Sequence, residues 1–134
     1  MYRQISVNGA SERELGYVEV RVRIGNPKGS FTEEIQFLVD TGAFHTAIPK
    51  TTAENLRLEI AGEIPVTLAD KHKIKAPIAL AAVKVLDRES IVPVVIIDVP
   101  EPFLGVSALE GLGLKVNHVA GSLERARPFG AALL

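Results

Sequence analysis

The sequence has no cysteine, and only 5% of its 134 residues are aromatic. Without cysteine the protein can form no disulfide, hold no cysteine-ligated metal and perform no thiol chemistry. The scarcity of aromatic side chains argues against single-stranded nucleic acid, whose bases stack on such rings. A formal net charge of −1 also lacks the basic excess that attracts phosphate backbones. We therefore expect neither a thiol enzyme nor a nucleic-acid-binding protein.

Long apolar runs are absent as well. The longest aliphatic stretch, around residues 91–97, is far too short to cross a bilayer. The start MYRQISVNG lacks the apolar core of a secretory signal. We therefore expect a cytoplasmic protein with no membrane partner. The composition, 47% hydrophobic and 23% charged, is ordinary for a globular protein, and 134 residues fit one domain with its own core.

Apolar and polar side chains alternate with a period of two along most of the chain, which predicts an all-β fold. Three hairpins follow this pattern, and they span residues 18–39, about 64–77 and 79–97. The turn GNPKGS closes the first, the charged stretch ADKH the second and DRES the third. With a further strand at SLERAR, about seven or eight strands predict a closed or partly closed β-barrel.

Two short helices are expected beside these strands. In KTTAENLRLEI, Thr51 is followed three residues later by Glu54, which is the spacing of a capping box at a helix start. In GVSALEGLGL, Ser107 and Glu110 repeat that spacing and predict a C-terminal helix at about 107–113, with Gly113 near its end.

The stretch FLVDTGAFHTAIP, residues 37–49, places a carboxylate directly after a strand that should be buried. A buried carboxylate without a partner is costly, so Asp40 needs either a partner or a chemical task. Taken alone, Asp-Thr-Gly is most simply an Asx-type turn after a strand. The choice between turn and active site depends on the rest of the chain.

A second stretch, FLGVSALEGLGL from residue 103, favours the active site. Together with LVDTGA it resembles the two signatures of the retropepsin-like aspartic proteases, the single-lobed retroviral type, and prokaryotic members look especially similar. The hairpin VTLADKHKIKA lies between the signatures, where that family has its flap. The resemblance covers about residues 15–116. It implies one domain over 1–134 with a retroviral-type acid protease barrel, one or two short helices and a two-fold homodimer.

The resemblance implies an aspartic endopeptidase that acts on peptides or proteins and needs no cofactor or metal. Such hydrolysis uses two carboxylates that share one proton, one as base toward water and one as acid toward the scissile carbonyl. The chain has a single motif, so the partner of Asp40 would be Asp40 of a second copy across a symmetry axis. As in the viral enzymes, Arg3–Val7 and the tail beyond Gly121 would form an intersubunit sheet.

The same resemblance implies roles for the neighbours of Asp40. Thr41 would hydrogen-bond across the pair, Gly42 would donate its amide to the carboxylate, and Gly105 would allow close packing behind the loop. The residues expected to meet substrate lie beside the motif and at the flap tip, and they are Ala43, Ala69, Asp70 and Lys71.

Some positions depart from the viral pattern. The tip is charged where viral flaps are glycine-rich, and Phe44 and Val106 replace an Asp–Arg pair that supports the viral dimer. His45 is expected to be a structural or cleft-wall residue, His72 a solvated turn residue, and His118, which follows the second helix, a residue without a functional role. The alternative function is a catalytically silent dimerisation or peptide-binding module of the same fold, although the intact Asp-Thr-Gly favours the enzyme.

Overall fold

The computed structural model describes residues 18–126, which form nine strands and two short helices. In chain order the elements are β1 (Val18–Gly25), β2 (Thr32–Val39), β3 (Thr46–Ile48), α1 (Lys50–Asn55), β4 (Ile60–Thr67), β5 (Lys73–Val85), β6 (Arg88–Ile96), β7 (Phe103–Leu104), α2 (Val106–Leu112), β8 (Leu114–Asn117) and β9 (Ser122–Arg125). Within these described residues no helix is long and apolar enough to span a membrane.

Seven of the strands form one sheet in the order β1-β2-β7-β3-β6-β5-β4, and β8 pairs with β9 in a separate small sheet. Strand β1 pairs not only with β2 but also with β5, where Ile24 lies opposite Val83. The sheet therefore closes on itself, and the alternating apolar side chains of its strands point into the enclosed core. The mostly-β fold predicted from the sequence is confirmed.

The core is built mainly from aliphatic side chains, together with the buried rings of Phe37 and Phe103. Val22, Ile24, Phe37 and Val94 are fully excluded from solvent. On β1, the exposed charged residues Glu19, Arg21 and Arg23 alternate with apolar residues that are buried or half-buried. Burial of each large apolar side chain contributes about 1.5–3 kcal/mol relative to exposure, which makes this core the main source of stability.

Neither predicted capping box forms. Thr51 lies inside α1, which follows Pro49, and Ser107 lies inside α2, which follows Gly105; neither helix has a side-chain hydrogen bond at its cap. At α2 the reason is visible, because the first amides of the helix are already used by backbone carbonyls of another loop. The helix begins one residue earlier than predicted and ends at Leu112, and its C-cap Gly113 has a left-handed φ of 68°.

The turn of the third hairpin is shorter than the predicted DRES. Val85 pairs with Arg88, so Leu86 and Asp87 alone make the turn and Arg88 already belongs to β6. The Arg88 side chain is buried and donates from Nη1 to the carbonyls of Leu112 and Gly113, at 3.0 Å each. It satisfies two carbonyls at the end of α2, which would otherwise lack partners within the helix.

Strand β9 confirms the strand expected at SLERAR. The other part of the predicted intersubunit sheet, Arg3–Val7, and the tail beyond Ala126 lie outside the described residues. The intersubunit sheet therefore stays a prediction.

Candidate active site

The two stretches singled out in the sequence lie side by side. Strand β2 pairs in parallel with β7, so that Val39 lies opposite Leu104. The next residue, Asp40, donates its amide to the carbonyl of Leu104 at 2.9 Å. Asp40 is thus fixed at the end of a buried strand, with only 7% of its surface exposed. The segment that follows it, residues 40–45, is called the Asp40 loop.

The carboxylate of Asp40 has one oxygen bound and one open. Oδ1 accepts the amide of Gly42 at 3.0 Å. Oδ2 is buried, and none of the residues 18–126 offers it a hydrogen bond. A Cβ on Gly42 would sit 3.3 Å from Oδ1, so a larger residue would crowd the carboxylate. A buried carboxylate oxygen without a hydrogen bond lowers stability, which indicates that Oδ2 binds a group outside the described residues.

Gly105 lies directly behind the Asp40 loop. A Cβ at this position would come within 2.6 Å of the carbonyl oxygen of Phe44 and closer still to that of His45. The amide of Gly105 donates to Oγ1 of Thr46 at 3.1 Å, and Thr46 is fully buried. Only glycine fits here, as the sequence predicted. The role of Thr46 was missed, because one hydroxyl at the start of an apolar strand gives no distinctive pattern.

The start of α2 closes the same loop from the other side. The amide of Val106 donates to the carbonyl of Ala43 at 2.8 Å, and that of Ser107 to the carbonyl of Phe44 at 3.0 Å. Two helix amides that would otherwise lack partners therefore bind the Asp40 loop. The loop is held in one conformation by main-chain bonds rather than by bulky side chains.

A cleft of about 420 Å³ lies between this loop and the β4–β5 hairpin. Residues 42–45 form one wall, residues 65–69 of the hairpin form the other, and the remaining lining residues are Ala47, Val95, Ile97 and Phe103. Of the predicted substrate-binding residues, Ala43 and Ala69 line this cleft, whereas Asp70 and Lys71 lie outside its lining at the exposed tip. Thr41 is also exposed beside the cleft.

The tip of the β4–β5 hairpin has a defined structure. Leu68 donates its amide to the carbonyl of His72 at 2.8 Å, and Lys71 takes a left-handed φ of 72° where glycine is usual. His72 Nδ1 lies 3.0 Å from Asp70 Oδ2. This hydrogen bond lowers the pKa of Asp70 and raises the pKa of His72 relative to their ordinary values.

A family model described as aspartyl protease matches residues 18–116 of the chain. That span contains Asp40, both walls of the cleft and the glycine behind the loop. The chain belongs to the aspartyl protease family. A comparison with curated protein sequences finds no match.

Solved structures support the same fold for this aspartyl protease. The EIAV protease, solved in complex with the inhibitor HBY-793, superposes with a TM-score of 0.63 at 17% sequence identity. The match covers 75% of the present chain and 92% of the viral one. Agreement over almost the whole viral chain at so low an identity shows that the backbone architecture is shared.

The three histidines of this aspartyl protease occupy different surroundings. His45 lines the cleft, and its ring meets the ring of Phe44 edge-on, with centroids 5.0 Å apart and planes at 87°. His72 belongs to the exposed hairpin tip, and His118 is exposed after β8. Among residues 18–126 no three His, Cys, Asp or Glu side chains come together as a metal site would require.

Proposed function

We propose that the protein is a homodimeric aspartic endopeptidase whose catalytic pair consists of Asp40 from each of two subunits. The observation that carries this proposal is the open Oδ2 of Asp40, which is buried and has no partner among the described residues. A second carboxylate supplies that partner if Asp40 lies at the two-fold axis of the dimer, because residues at the axis of an isologous interface meet their own copies. A proton shared between the two carboxylates relieves their repulsion.

The reaction then follows from the two carboxylates. One of them removes a proton from a water, which attacks the scissile carbonyl carbon, while the other gives its proton to the carbonyl oxygen. Collapse of the resulting tetrahedral intermediate breaks the C–N bond, and the amine leaves with a proton from the pair. Gly42 binds Oδ1 and leaves Oδ2 free for the reacting groups.

Residues at the exposed edge of the Asp40 loop fit the proposed subunit contact. Thr41 is exposed next to the catalytic residue, where its hydroxyl can reach a partner subunit. Phe44 is 63% exposed, which is unusual for a ring of this size. Apolar packing of Phe44 would take the place of the Asp–Arg pair found in the viral enzymes.

The substrate fits as an extended peptide beneath the hairpin. Within residues 18–126, β4 pairs with β5 alone and leaves its other edge open for a further strand. Leu68 and His72 form a hydrogen-bonded pair, and such pairs alternate with non-hydrogen-bonded pairs along an antiparallel ladder. The main-chain groups of Pro65 and Thr67 therefore point toward the open edge. Thr67 offers both a donor and an acceptor there, whereas Pro65 offers an acceptor only.

The cytoplasmic location expected from the sequence stays a prediction.

The proposal is tested by digesting a diverse peptide library at acid and neutral pH, with and without a pepstatin-type transition-state analogue. Wild-type protein should cleave and the analogue should inhibit it, while Asp40→Asn should lose at least roughly 100-fold in rate and keep its circular dichroism spectrum. Asp87→Asn, in the exposed β5–β6 turn, is the matched control and should cleave normally.

Oligomeric state is measured on the same samples by sedimentation. Cleavage by a strict monomer, or retained activity in Asp40→Asn, would contradict the proposed pair. A dimer that cleaves nothing and binds the analogue no better than Asp40→Asn does would identify the silent module instead.

A further inference from the structure

Among the described residues that line the cleft, one has an ionisable side chain. His45 stands in a wall that is otherwise built from apolar side chains, glycine and one hydroxyl, that of Thr67. Resting on the proposed function, we infer that His45 selects substrates that carry a carboxylate side chain, Glu or Asp, close to the scissile bond.

One contact restrains the backbone of His45 and another restrains its ring. Its backbone carbonyl packs against Gly105, at a distance that leaves no space for a Cβ. Its ring is half-buried and contacts the ring of Phe44 edge-on at 5.0 Å. A side chain that is held in place loses little rotamer freedom when it binds a ligand, so each hydrogen bond it makes contributes more to affinity.

The ring nitrogens of His45 have no partner among residues 18–126. None of the described residues forms a hydrogen bond or ion pair with them, whereas the ring of His72 is paired with Asp70. The imidazole therefore offers a donor to the cleft, and after protonation a positive charge with two donors. In the part of the chain that the structure describes, no acidic side chain lines the cleft to compete for it.

The surroundings favour a carboxylate over other hydrogen-bonding groups. Apolar walls lower the effective dielectric constant, so that opposite charges attract more strongly than they do in water. A hydrogen bond to a charged group contributes about 1.5–3 kcal/mol, which corresponds to roughly a 10- to 150-fold preference. Substrate Lys or Arg at the same place would face a like charge or lose its hydration. Because a two-fold dimer carries two copies of His45, the preference should occur on both sides of the scissile bond.

The test compares cleavage-site profiles of one proteome-derived peptide library for four proteins. Wild type should show Glu and Asp enriched at a fixed distance from the scissile bond. His45→Gln should lose this enrichment, and His45→Asp should replace it with Lys and Arg. His118→Asp introduces the same change at an exposed histidine outside the cleft and should leave the profile as in wild type.

A pair of synthetic peptides that differ only in Glu versus Gln then isolates the interaction. Wild type should cleave the Glu peptide about 10-fold or more faster in kcat/KM, and His45→Gln should bring that ratio close to one. A merely structural role of His45 would lower both rates equally and leave the ratio unchanged. No acidic enrichment in wild type, or enrichment that persists in His45→Asp, would overturn the inference.

Binding to Asp40→Asn separates this inference from the proposed catalysis. Calorimetry with the same two peptides should give tighter binding of the Glu peptide, and the difference should vanish when His45→Gln is added. This outcome supports the role of His45 even if no cleavage is found. Equal affinities would overturn it even if the enzyme is active.

Discussion

The substitution Gly105→Ala adds one methyl group where the structure leaves no space. The new Cβ would lie within 2.6 Å of the carbonyl carbon of His45 and of the carbonyl oxygen of Phe44. Both neighbours are backbone atoms, so no side chain can rotate away. Either β7 and α2 must move as a unit or the Asp40 loop must shift.

The cost follows from what the shift breaks. Overpacking of this kind costs about 1–3 kcal/mol by itself. Three hydrogen bonds join the segments at this point, and they run from Gly105 to Thr46, from Val106 to Ala43 and from Ser107 to Phe44. Each contributes about 1 kcal/mol net. We therefore expect Gly105→Ala to lower the free energy of unfolding by roughly 4–6 kcal/mol if all three bonds are lost, a large share of the roughly 5–15 kcal/mol that native proteins have.

Urea denaturation followed by circular dichroism measures the free energy of unfolding of each variant. All samples have the same protein concentration, because the unfolding of a dimer depends on concentration. The matched control is Gly111→Ala, in the same helix, where an added Cβ meets nothing within 4 Å. It should stabilise the protein by about 0.5–1 kcal/mol, since alanine favours a helix over glycine. A loss below 1 kcal/mol at Gly105, or an equal loss at both positions, would refute the reasoning.

Three further predictions concern the hairpin tip and the end of α2. Lys71→Gly should stabilise the protein by about 1 kcal/mol, because the φ of 72° suits glycine; an unchanged or lower melting temperature would contradict this. The Asp70–His72 pair should stabilise the tip most between pH 3.8 and 6.5. Above this range the contribution of His72 is lost as pH rises through its raised pKa. Below it the contribution of Asp70 is lost as pH falls through its lowered pKa. An NMR titration should show the midpoint of His72 fall in Asp70→Asn, and no change would show that the pair does not form in solution. Arg88→Met should cost roughly 2–4 kcal/mol in urea denaturation, because two helix carbonyls lose their buried donor; a neutral effect would mean that water replaces it.

Much of the fold could be predicted because the sequence repeats simple local rules. Alternating side chains gave the β1–β2, β4–β5 and β5–β6 hairpins, whose strands pair within a few residues of the expected positions. The pairing of β1 with β5 could not be predicted, since strands so far apart in the chain carry no mutual signal. The closure of the sheet depends on the twist and length of all its strands together.

Of the candidate site, too, the sequence predicts some residues and not others. Asp40 and Gly105 were predicted because each lies in a motif with a chemical or steric reason for that residue type. Thr46 and Arg88 were not, since each acts through a distant backbone group that the sequence does not reveal. The capping box at α2 failed for a related reason, because tertiary hydrogen bonds to the Asp40 loop replaced the local bonds that the spacing predicts.

The bond between Gly105 and Thr46 joins positions 59 residues apart in the chain. Contacts of such long range form late in folding, after the loop-closure entropy of the intervening hairpins has been overcome. The Asp40 loop therefore reaches its final shape only after the ribosome has made α2, long after Asp40 itself has emerged. A nascent chain, or a fragment that ends before β7, carries the whole Asp-Thr-Gly motif without the bonds that join it to β7 and α2. The Asp40 loop can form these bonds only once both elements have been synthesised.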